Sequence, residues 1–347
     1  MGGWVLSGLD RAGGEPRPGA AAQADFPKAE KLGRVCAGGE GAVFELKTRP
    51  DWDSQTSGKV LRDDVIVWQR EVVASKLDRN RINQRWVETP KGYIYSAYVQ
   101  PVKNLPNQPV LAFPSYSKEG GMWVECTVPY VDFTVEGKIS SPWLQETLKP
   151  RLYYSQVMWA DQVRDEGGGH VRYRVREKYG SYGDVFWASA DAFRIITPDD
   201  LAPIRPEVSN KTVRVNLTYQ TLSCLEGKDE VYFCRVSTGW GGATPTGTIP
   251  TWRKMVSTHM SGGSTGAGYD TPGIGWTVLF SQDGAAIHST FWHNDFGLAR
   301  THGCVNTLPE DAQWIFRWTQ PAVSYDPGDI TISGMNASTK IIVEEQS

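Results

Sequence analysis

Turn-forming residues divide this sequence into short segments, and that division is what most limits the fold available to it. The chain of 347 residues contains 36 glycines and 21 prolines, which favour turns and interrupt helices. Between the turns, apolar and polar residues alternate over short runs such as 62–72 and 92–102, as they do in half-buried strands. Fourteen tryptophans suit the aromatic-rich packing of β-sheets. The sequence therefore predicts a mainly β protein.

The chain is longer than one hydrophobic core usually supports, so several domains are expected. A proline-punctuated stretch at 104–110 marks one boundary. The sequence of 183–204 echoes that of 92–102, which favours a second, diverged copy of the first domain. We predict four regions: a flexible tether over 1–32, a small β-barrel over 33–104, a second β-rich domain over 105–207 interpreted as a diverged barrel, and a mainly β domain over 208–347.

Three local patterns predict individual elements. The glycines at 167–169 are typical of a hairpin turn between two alternating strands. Thr197 before Pro198 predicts a short capped helical turn. In the last region, 308–318 is the one stretch expected to form a longer helix, because Pro309 suits a first helical position and acidic residues fill the first turn.

Five cysteines leave at least one thiol unpaired within the chain. Cys224 and Cys234 flank a hairpin in which Gly227 and Lys228 form a two-residue turn. That turn would place Cys224 opposite position 231 and Cys234 opposite position 221, on opposite faces of the ribbon. We therefore do not expect a disulfide between them. Cys36, Cys126, Cys224 and Cys234 are interpreted as small buried residues.

Composition excludes two classes of partner. The formal net charge is −3, and no basic block is long enough to follow a phosphate backbone, so nucleic acid is not an expected partner. No apolar run approaches the ~18–20 residues of a membrane span. The first residues show no readable signal peptide.

Residues 287–307 hold three of the five histidines and one cysteine. His302 and Cys304 are two residues apart, so on an extended strand both side chains point to the same face. Gly303 between them lets a substrate backbone approach closely or lets amide N–H groups face an oxyanion. Because a thiol becomes a nucleophile only near a base, His288, at the end of a neighbouring predicted strand, would complete a Cys–His pair.

Two other interpretations of this cluster were weighed. His288, His293, His302 and Cys304 are suitable metal ligands, as in a zinc-dependent amidase, but the sequence has neither a CxxC knuckle nor an HxxxH helix. Histidines with a purely structural role are the other alternative. The clustering favours cysteine-based acyl transfer, and we expect no metal or other cofactor.

The segment from Thr301 to Asn306, THGCVN, with His288 upstream and twelve residues between His288 and Thr301, resembles the signature of the L,D-transpeptidase catalytic domain family (YkuD-type). Three other stretches resemble that family: the hairpin of 213–239, TPTG at 244–247 and IHST at 287–290. Thr301 stands where serine is commoner, Ser289 replaces a glycine, and a Gly-rich insertion covers 257–276. Residues 33–104 resemble the bacterial Src-homology-type barrels found on cell-wall enzymes.

The resemblance implies a β-sandwich-like catalytic domain preceded by one or two small β-barrels, acting on peptidoglycan stem peptides. Cys304 would attack the carbonyl of the third residue of a tetrapeptide stem and release D-alanine. An amine would resolve the thioacyl-enzyme into a 3→3 cross-link, or water would hydrolyse it. An envelope location outside the cytoplasm and a monomer are expected. The alternative is a non-catalytic wall-binding or scaffolding protein that uses its barrels.

Residue roles follow from the same resemblance. His288 would be the general base, oriented by the backbone carbonyl of Ser289, and His302 and Gly303 would line the site. Trp292 and His293 would form a wall of the donor pocket or pack as aromatics, and Thr301 and Asn306 would shape the turn that presents the thiol. His259 would lie on a lid over the cleft or in an exposed loop.

Overall fold

The computed structural model describes residues 25–146, 149–262, 269–333 and 338–345, except for the side chain of residue 146. Within these ranges the protein is mainly β, with three short α-helices. Most of the predicted tether, 1–24, and part of the predicted Gly-rich insertion, 263–268, lie outside the described residues. No helix among the described residues combines the length and the apolar character needed to cross a membrane.

The first unit consists of two small antiparallel sheets. One has the strand order β4-β1-β8 and the other β3-β2-β7-β6-β5. One core cluster contains Val35, Leu46 and Ile94. A separate, mainly aromatic cluster surrounds the buried Trp86. The strands are β1 (Leu32–Val35), β2 (Val43–Lys47), β3 (Thr56–Leu61), β4 (Val65–Val67), β5 (Arg70–Val73), β6 (Arg85–Thr89), β7 (Gly92–Tyr95) and β8 (Val99–Val102).

The second unit is a seven-stranded sheet in the order β11-β10-β14-β13-β12-β9-β15. The predicted hairpin is confirmed, because β12 and β13 pair antiparallel on either side of 166–170. Phe26, inside the predicted tether, is buried and packs edge-on against Tyr130 of this unit. The elements are β9 (Met122–Cys126), β10 (Tyr130–Glu136), α1 (Pro142–Glu146), β11 (Arg151–Tyr153), β12 (Val157–Asp165), β13 (Val171–Arg176), β14 (Val185–Ser189), β15 (Phe193–Ile195) and α2 (Pro198–Leu201).

The sequence echo between the first two units corresponds to a shared local structure. A 3₁₀ turn joins β7 to β8 at Ser96–Tyr98, and another joins β14 to β15 at Ala190–Ala192. The residues before the two turns have nearly the same backbone angles, φ −62° and ψ 127° at Tyr95 and φ −61° and ψ 127° at Ser189. The similar sequences therefore encode the same strand–turn–strand unit.

The third unit is built from two five-stranded sheets and one helix around a common core. The sheet orders are β18-β17-β16-β25-β19 and β23-β22-β21-β20-β24, and the core joins residues from both sheets to α3. The predicted helix is confirmed, with Pro309 at its first position. The elements are β16 (Lys211–Asn216), β17 (Thr221–Glu226), β18 (Asp229–Arg235), β19 (Gly247–Pro250), β20 (Arg253–Gly262), β21 (Tyr269–Leu279), β22 (Ala286–Ser289), β23 (Val305–Thr307), α3 (Pro309–Trp318), β24 (Asp329–Thr331) and β25 (Lys340–Glu344).

The prediction that Cys224 and Cys234 lie on opposite faces of their hairpin is wrong. The two-residue turn is present, with Glu226 opposite Asp229, but a β-bulge follows it in β18. The bulge places Tyr232 opposite Cys224, and Leu222 pairs with Cys234. One extra residue in one strand reverses which side chains share a face, so both thiols enter the same core. All five cysteines lie in the described ranges and are free thiols.

Candidate active site

The neighbouring strands β22 and β23 bring the predicted Cys–His pair to one place. They pair in parallel, with His288 opposite Asn306, and Cys304 directly precedes β23. His288 and Cys304 both line a cavity of about 270 Å³. The lining residues are Met260, Tyr269, Thr271, Ile274, His288, Trp292, His293, Arg300, Thr301, His302, Cys304 and Asn306.

The imidazole of His288 is buried and held in one orientation. Its Nδ1 lies 2.8 Å from the backbone oxygen of Ser289, which can only accept, so Nδ1 carries the proton and donates it. Nε2 then keeps its lone pair. Burial lowers the pKa of His288 to about 4, partly offset by the bond to Ser289. The ring is therefore a neutral base at neutral pH.

The thiol of Cys304 is partly exposed and lies 3.7 Å from the backbone oxygen of Gly284. Burial raises the pKa of Cys304 to about 11, and a backbone hydrogen bond from Ala286 offsets this in part. The resting site therefore holds a thiol and a neutral imidazole rather than a thiolate–imidazolium pair. A proton must move when the thiol attacks.

The side chain of Thr301 organises the turn before the cysteine. Its hydroxyl donates to the backbone oxygen of Cys304 at 2.6 Å and accepts from the N–H of Gly303 at 3.0 Å. Gly303 has a φ of 143°, and a Cβ there would lie 3.2 Å from the backbone oxygen of Ala243. Glycine at this position thus permits both the backbone conformation and the close approach of the neighbouring loop. His302 is exposed, and its ring lies 5.1 Å from that of Tyr269.

His293 and Asn306 form a buried polar pair in the cavity wall. His293 Nδ1 accepts from the N–H of Asp295 at 3.2 Å, so the proton of the neutral ring is on Nε2. The amide nitrogen Nδ2 of Asn306 lies 3.0 Å from that Nε2, and exchanging the nitrogen and oxygen of this amide would give the Nε2 proton an acceptor. Burial, with help from the charge of Arg300, lowers the pKa of His293 to about 3. The ring of Trp292 lies 5.9 Å from that of His288.

His259 does not line the cavity. Its ring is buried on β20 between two carboxylates, with Nδ1 2.9 Å from Glu177 of the second unit and Nε2 bonded to Asp270 of β21. Burial by itself lowers the pKa of His259, but Glu177 and Asp270 outweigh it, and the pKa is raised. The ring links the second unit to the β20–β21 hairpin rather than facing a substrate.

Sequence reasoning missed five lining residues: Met260, Tyr269, Thr271, Ile274 and Arg300. Tyr269 and Thr271 are two residues apart on β21, so strand alternation could have identified them once the hairpin was known. Arg300 is the single Lys or Arg in the lining, and it directly precedes the THGC motif. No group of three or more His, Cys, Asp or Glu side chains in the described part of the chain could hold a metal ion.

The third unit is thus a two-sheet β domain that presents a thiol and an imidazole to one cavity. Residues 210–343 match the family model of the L,D-transpeptidase catalytic domain (YkuD). The chain therefore carries an L,D-transpeptidase catalytic domain at its carboxyl end, preceded by β domains, as predicted.

Several solved L,D-transpeptidase structures resemble part of the chain. An Enterococcus faecium mutant is 19% identical, with 40% of this chain and 51% of that chain covered and a TM-score of 0.31. An enzyme from Mycobacterium smegmatis is 16% identical, with 50% and 90% covered and a TM-score of 0.32. L,D-transpeptidase 3 from Mycobacterium tuberculosis is 17% identical, with 49% and 78% covered and a TM-score of 0.31. The chain spans about half the length of the E. faecium protein. No curated protein matches the chain.

Proposed function

We propose that this protein is a cysteine-dependent peptidoglycan L,D-transpeptidase of the cell envelope. The observation that carries the proposal is that Cys304 and His288 line one cavity, from neighbouring strands, within the residues that match the family. The donor would be a tetrapeptide stem. The cavity suits such a substrate because its lining combines aromatic and aliphatic side chains with a few polar groups.

In the acylation step, Cys304 Sγ bonds to the carbonyl carbon of the third stem residue while its proton passes to His288 Nε2. The tetrahedral oxyanion is stabilised by backbone N–H groups at the turn, chiefly that of Cys304, because the N–H of Gly303 is bonded to Thr301. The bond to the terminal D-alanine then breaks, and the proton on His288 goes to the leaving amine. In the thioacyl-enzyme the imidazole is neutral again, the sulfur is bound in the thioester, and the thiol proton has left with D-alanine.

Deacylation repeats the proton transfer in reverse order. An amine of a neighbouring stem gives up a proton to His288, attacks the thioester carbonyl and forms the 3→3 amide, and Cys304 leaves as a thiol. Water in place of the amine gives a trimmed stem. Ser289 orients the base throughout, while Trp292, His293 and Asn306 form the wall against which the donor packs. His259 would act on the site only through the β20–β21 hairpin.

The pKa shifts of His288 and Cys304 predict how the acylation rate depends on pH. With His288 neutral above a pKa of about 4 and Cys304 protonated below about 11, the acylation rate should rise through the lower value and then stay level across neutral pH. A resting thiolate–imidazolium pair would instead lose rate again on the alkaline side, as the imidazolium gives up the proton that the leaving group needs. Measuring acylation by a carbapenem between pH 4 and 9 separates the two.

The decisive experiment incubates tetrapeptide stems with the wild type, Cys304→Ala and Cys234→Ala. We expect D-alanine and a cross-linked dimer or a trimmed stem from the wild type and Cys234→Ala, and none from Cys304→Ala. Mass spectrometry after carbapenem treatment should show one adduct on the peptide that contains Cys304. A wild type that releases no D-alanine and stays unmodified would favour a wall-binding scaffold, and activity lost to a chelator would favour a zinc amidase.

A further inference from the structure

One wall of the cavity is held by the first unit of the chain as well as by the catalytic domain that contains it. We define the wall segment as residues 290–296, which follow Ser289 and carry Trp292 and His293 into the cavity lining. The segment belongs to no helix or strand. Its polar backbone groups therefore need partners from elsewhere. Two backbone groups and two side chains of the segment are bonded to residues more than 190 positions earlier.

Arg34, on β1, makes the first of these contacts. Its guanidinium donates to the backbone oxygen of Phe291 at 2.6 Å. The remaining N–H groups bond Asp63 at 2.8 Å and Gln100 at 2.9 Å and 3.2 Å. The ring of Tyr153 lies 4.0 Å beneath the guanidinium and stacks on Phe291 at 5.6 Å. Arg34 is only 1% exposed, so this charge is desolvated and fully committed to the junction.

Asn83 and the 3₁₀ turn at Ser96–Tyr98 make the second set. The amide nitrogen of Asn83 donates to Asp295 at 3.1 Å, and the other oxygen of that carboxylate accepts from Arg300 at 2.9 Å. Asn294 donates to the backbone oxygen of Ser96 at 3.3 Å. Successive polar contacts thus connect the first unit, through Asp295, to Arg300, the single arginine of the cavity lining.

We propose that Arg34 and Asn83 are positioning residues for the transpeptidase site. The first unit then completes the active site instead of serving only as a separate module that binds peptidoglycan. This inference rests on the proposed function. Arg34 fixes the segment just before Trp292, and Asn83 fixes the carboxylate that orients Arg300. A wall ordered before the substrate arrives spares the entropy of ordering it during the reaction.

Arg151 provides a matched control for Arg34. It is also a buried arginine that bonds Asp63, at 3.1 Å, but its other partners are Asp132 and the ring of Tyr130, and none of these lies in the wall segment. Both substitutions to glutamine remove a buried charge at the same junction. Only Arg34→Gln removes the bond to Phe291. Differences between the two variants therefore report on positioning rather than on general loss of stability.

The first test measures carbapenem acylation and D-alanine release together with thermal stability. We expect Arg34→Gln to acylate about tenfold more slowly than the wild type, as for loss of one charge-assisted hydrogen bond, and Arg151→Gln to stay within about threefold. Equal rates in the two variants at equal stability would overturn the inference. If Arg34→Gln does not fold, Arg34→Lys keeps the charge but lacks the fork that reaches Asp63 and Phe291 together.

A second readout does not require activity. Loosening the wall segment would admit water to His288, whose pKa of about 4 results from burial, so nuclear magnetic resonance titration of labelled histidine should show that pKa moving towards 6.5 in Arg34→Gln and not in Arg151→Gln. The other ionisable groups that line this cavity are unchanged in both variants: Tyr269, His293, Arg300, His302 and Cys304. An inactive wild type would refute the proposed function. An unmoved His288 pKa in Arg34→Gln would refute the positioning role.

Discussion

The two amino-terminal units support the catalytic cavity in different ways. The first unit contacts the wall segment through hydrogen bonds and a buried cation, beginning at Arg34 and Asn83. The second unit packs apolar side chains into the catalytic core itself: Trp123, Val157 and Trp159 belong to the same cluster as residues of both catalytic sheets. The second interface has hydrogen bonds as well, such as that from Gln156 to the backbone oxygen of Pro272 at 2.7 Å, but the shared apolar core distinguishes it from the first.

Close packing on the side of the second unit depends on small residues in the catalytic domain. A Cβ at Gly273 would lie 2.8 Å from the sulfur of Met158, and one at Gly328 would lie 2.6 Å from the ring of Trp123. The indole N–H of Trp123 also donates to the backbone oxygen of Tyr325 at 3.1 Å. Apolar burial of this kind contributes mainly to stability, whereas hydrogen bonds at a loop contribute mainly to geometry. We therefore expect substitutions where the second unit meets the catalytic domain to lower stability. Substitutions where the first unit meets the wall segment should lower the reaction rate.

The largest effect is expected from truncating a buried tryptophan in each unit. Trp123 and Trp86 are 0% and 1% exposed, so replacing either with alanine should cost about 3–5 kcal/mol in the free energy of unfolding of the unit it supports. Trp123→Ala should destabilise the catalytic domain, because that side chain lies in the catalytic core. Trp86→Ala should destabilise only the first unit. Denaturant unfolding followed by hydrogen exchange of β20 and β21 distinguishes them, and loss of protection there in both variants would refute the difference.

A smaller loss is expected at the buried Glu177–His259–Asp270 cluster of the second interface. Glu177→Gln removes the charge that faces His259 while preserving the shape of the side chain and an oxygen for the N–H of Gly273, 2.9 Å away. Hydrogen bonds to charged groups contribute about 1.5–3 kcal/mol, so the free energy of unfolding should fall by about 2 kcal/mol. The control is Glu166→Gln, at an exposed position of the same unit and 3.9 Å from its partner Arg172, which should change stability little. Equal stability of Glu177→Gln and wild type would contradict the assignment.

The same cluster should make stability depend on pH. The pKa of His259 is raised by Glu177 and Asp270 in spite of burial, and burial raises that of Glu177, so the folded protein binds these protons more tightly than the unfolded chain. The contribution of His259 is complete below pH ~6.5 and is lost as pH rises through its folded-state pKa. Unfolding should therefore become easier from pH 6.5 to 9, and His259→Gln should reduce this slope.

His288 and His293 do not interfere in that pH range. Their pKa values are lowered by burial, to about 4 and about 3, so their effect has the opposite sign and is confined to acid. Stability contributed by the neutral rings is present above pH ~6.5 and is lost as pH falls below it. A slope above pH 6.5 that persists unchanged in His259→Gln would show that another group causes it.

Much of the fold could be predicted because its signals are local. The hairpin at 166–170, the helix that begins at Pro309 and the parallel neighbours that carry His288 and Cys304 each depend on residues close in sequence. The THGC motif fixed the family of the catalytic domain for the same reason, and the match over 210–343 confirms it. Turn residues, capping residues and alternation act over a few positions, so the sequence displays them directly.

The rest could not be predicted because it depends on register and on long-range contacts. A single bulge residue in β18 changed the faces of Cys224 and Cys234, and no pattern in the alternation marks it. His259 was expected on a lid, but its partner Glu177 is 82 positions away. The contact of Arg34 with Phe291 spans 257 positions. Which loop completes an active site is decided by how the domains pack, and one sequence gives no periodic signal for that.

The smallest expected effect concerns Asn83. It tests whether the first unit only stabilises the chain or also shapes the site. Asn83→Ala removes the hydrogen bond to Asp295, which keeps its contact with Arg300. It also removes the local hydrogen bonds of Asn83 with Ser96 and Arg85, so the free energy of unfolding should fall by about 1–2 kcal/mol. Because Arg300 lines the cavity, the KM for stem peptide should still rise about threefold, with kcat less affected. The control is Asn107→Ala, whose amide bonds Thr127 away from the cavity. If Asn107→Ala raises KM equally, the first unit stabilises the chain but does not shape the site.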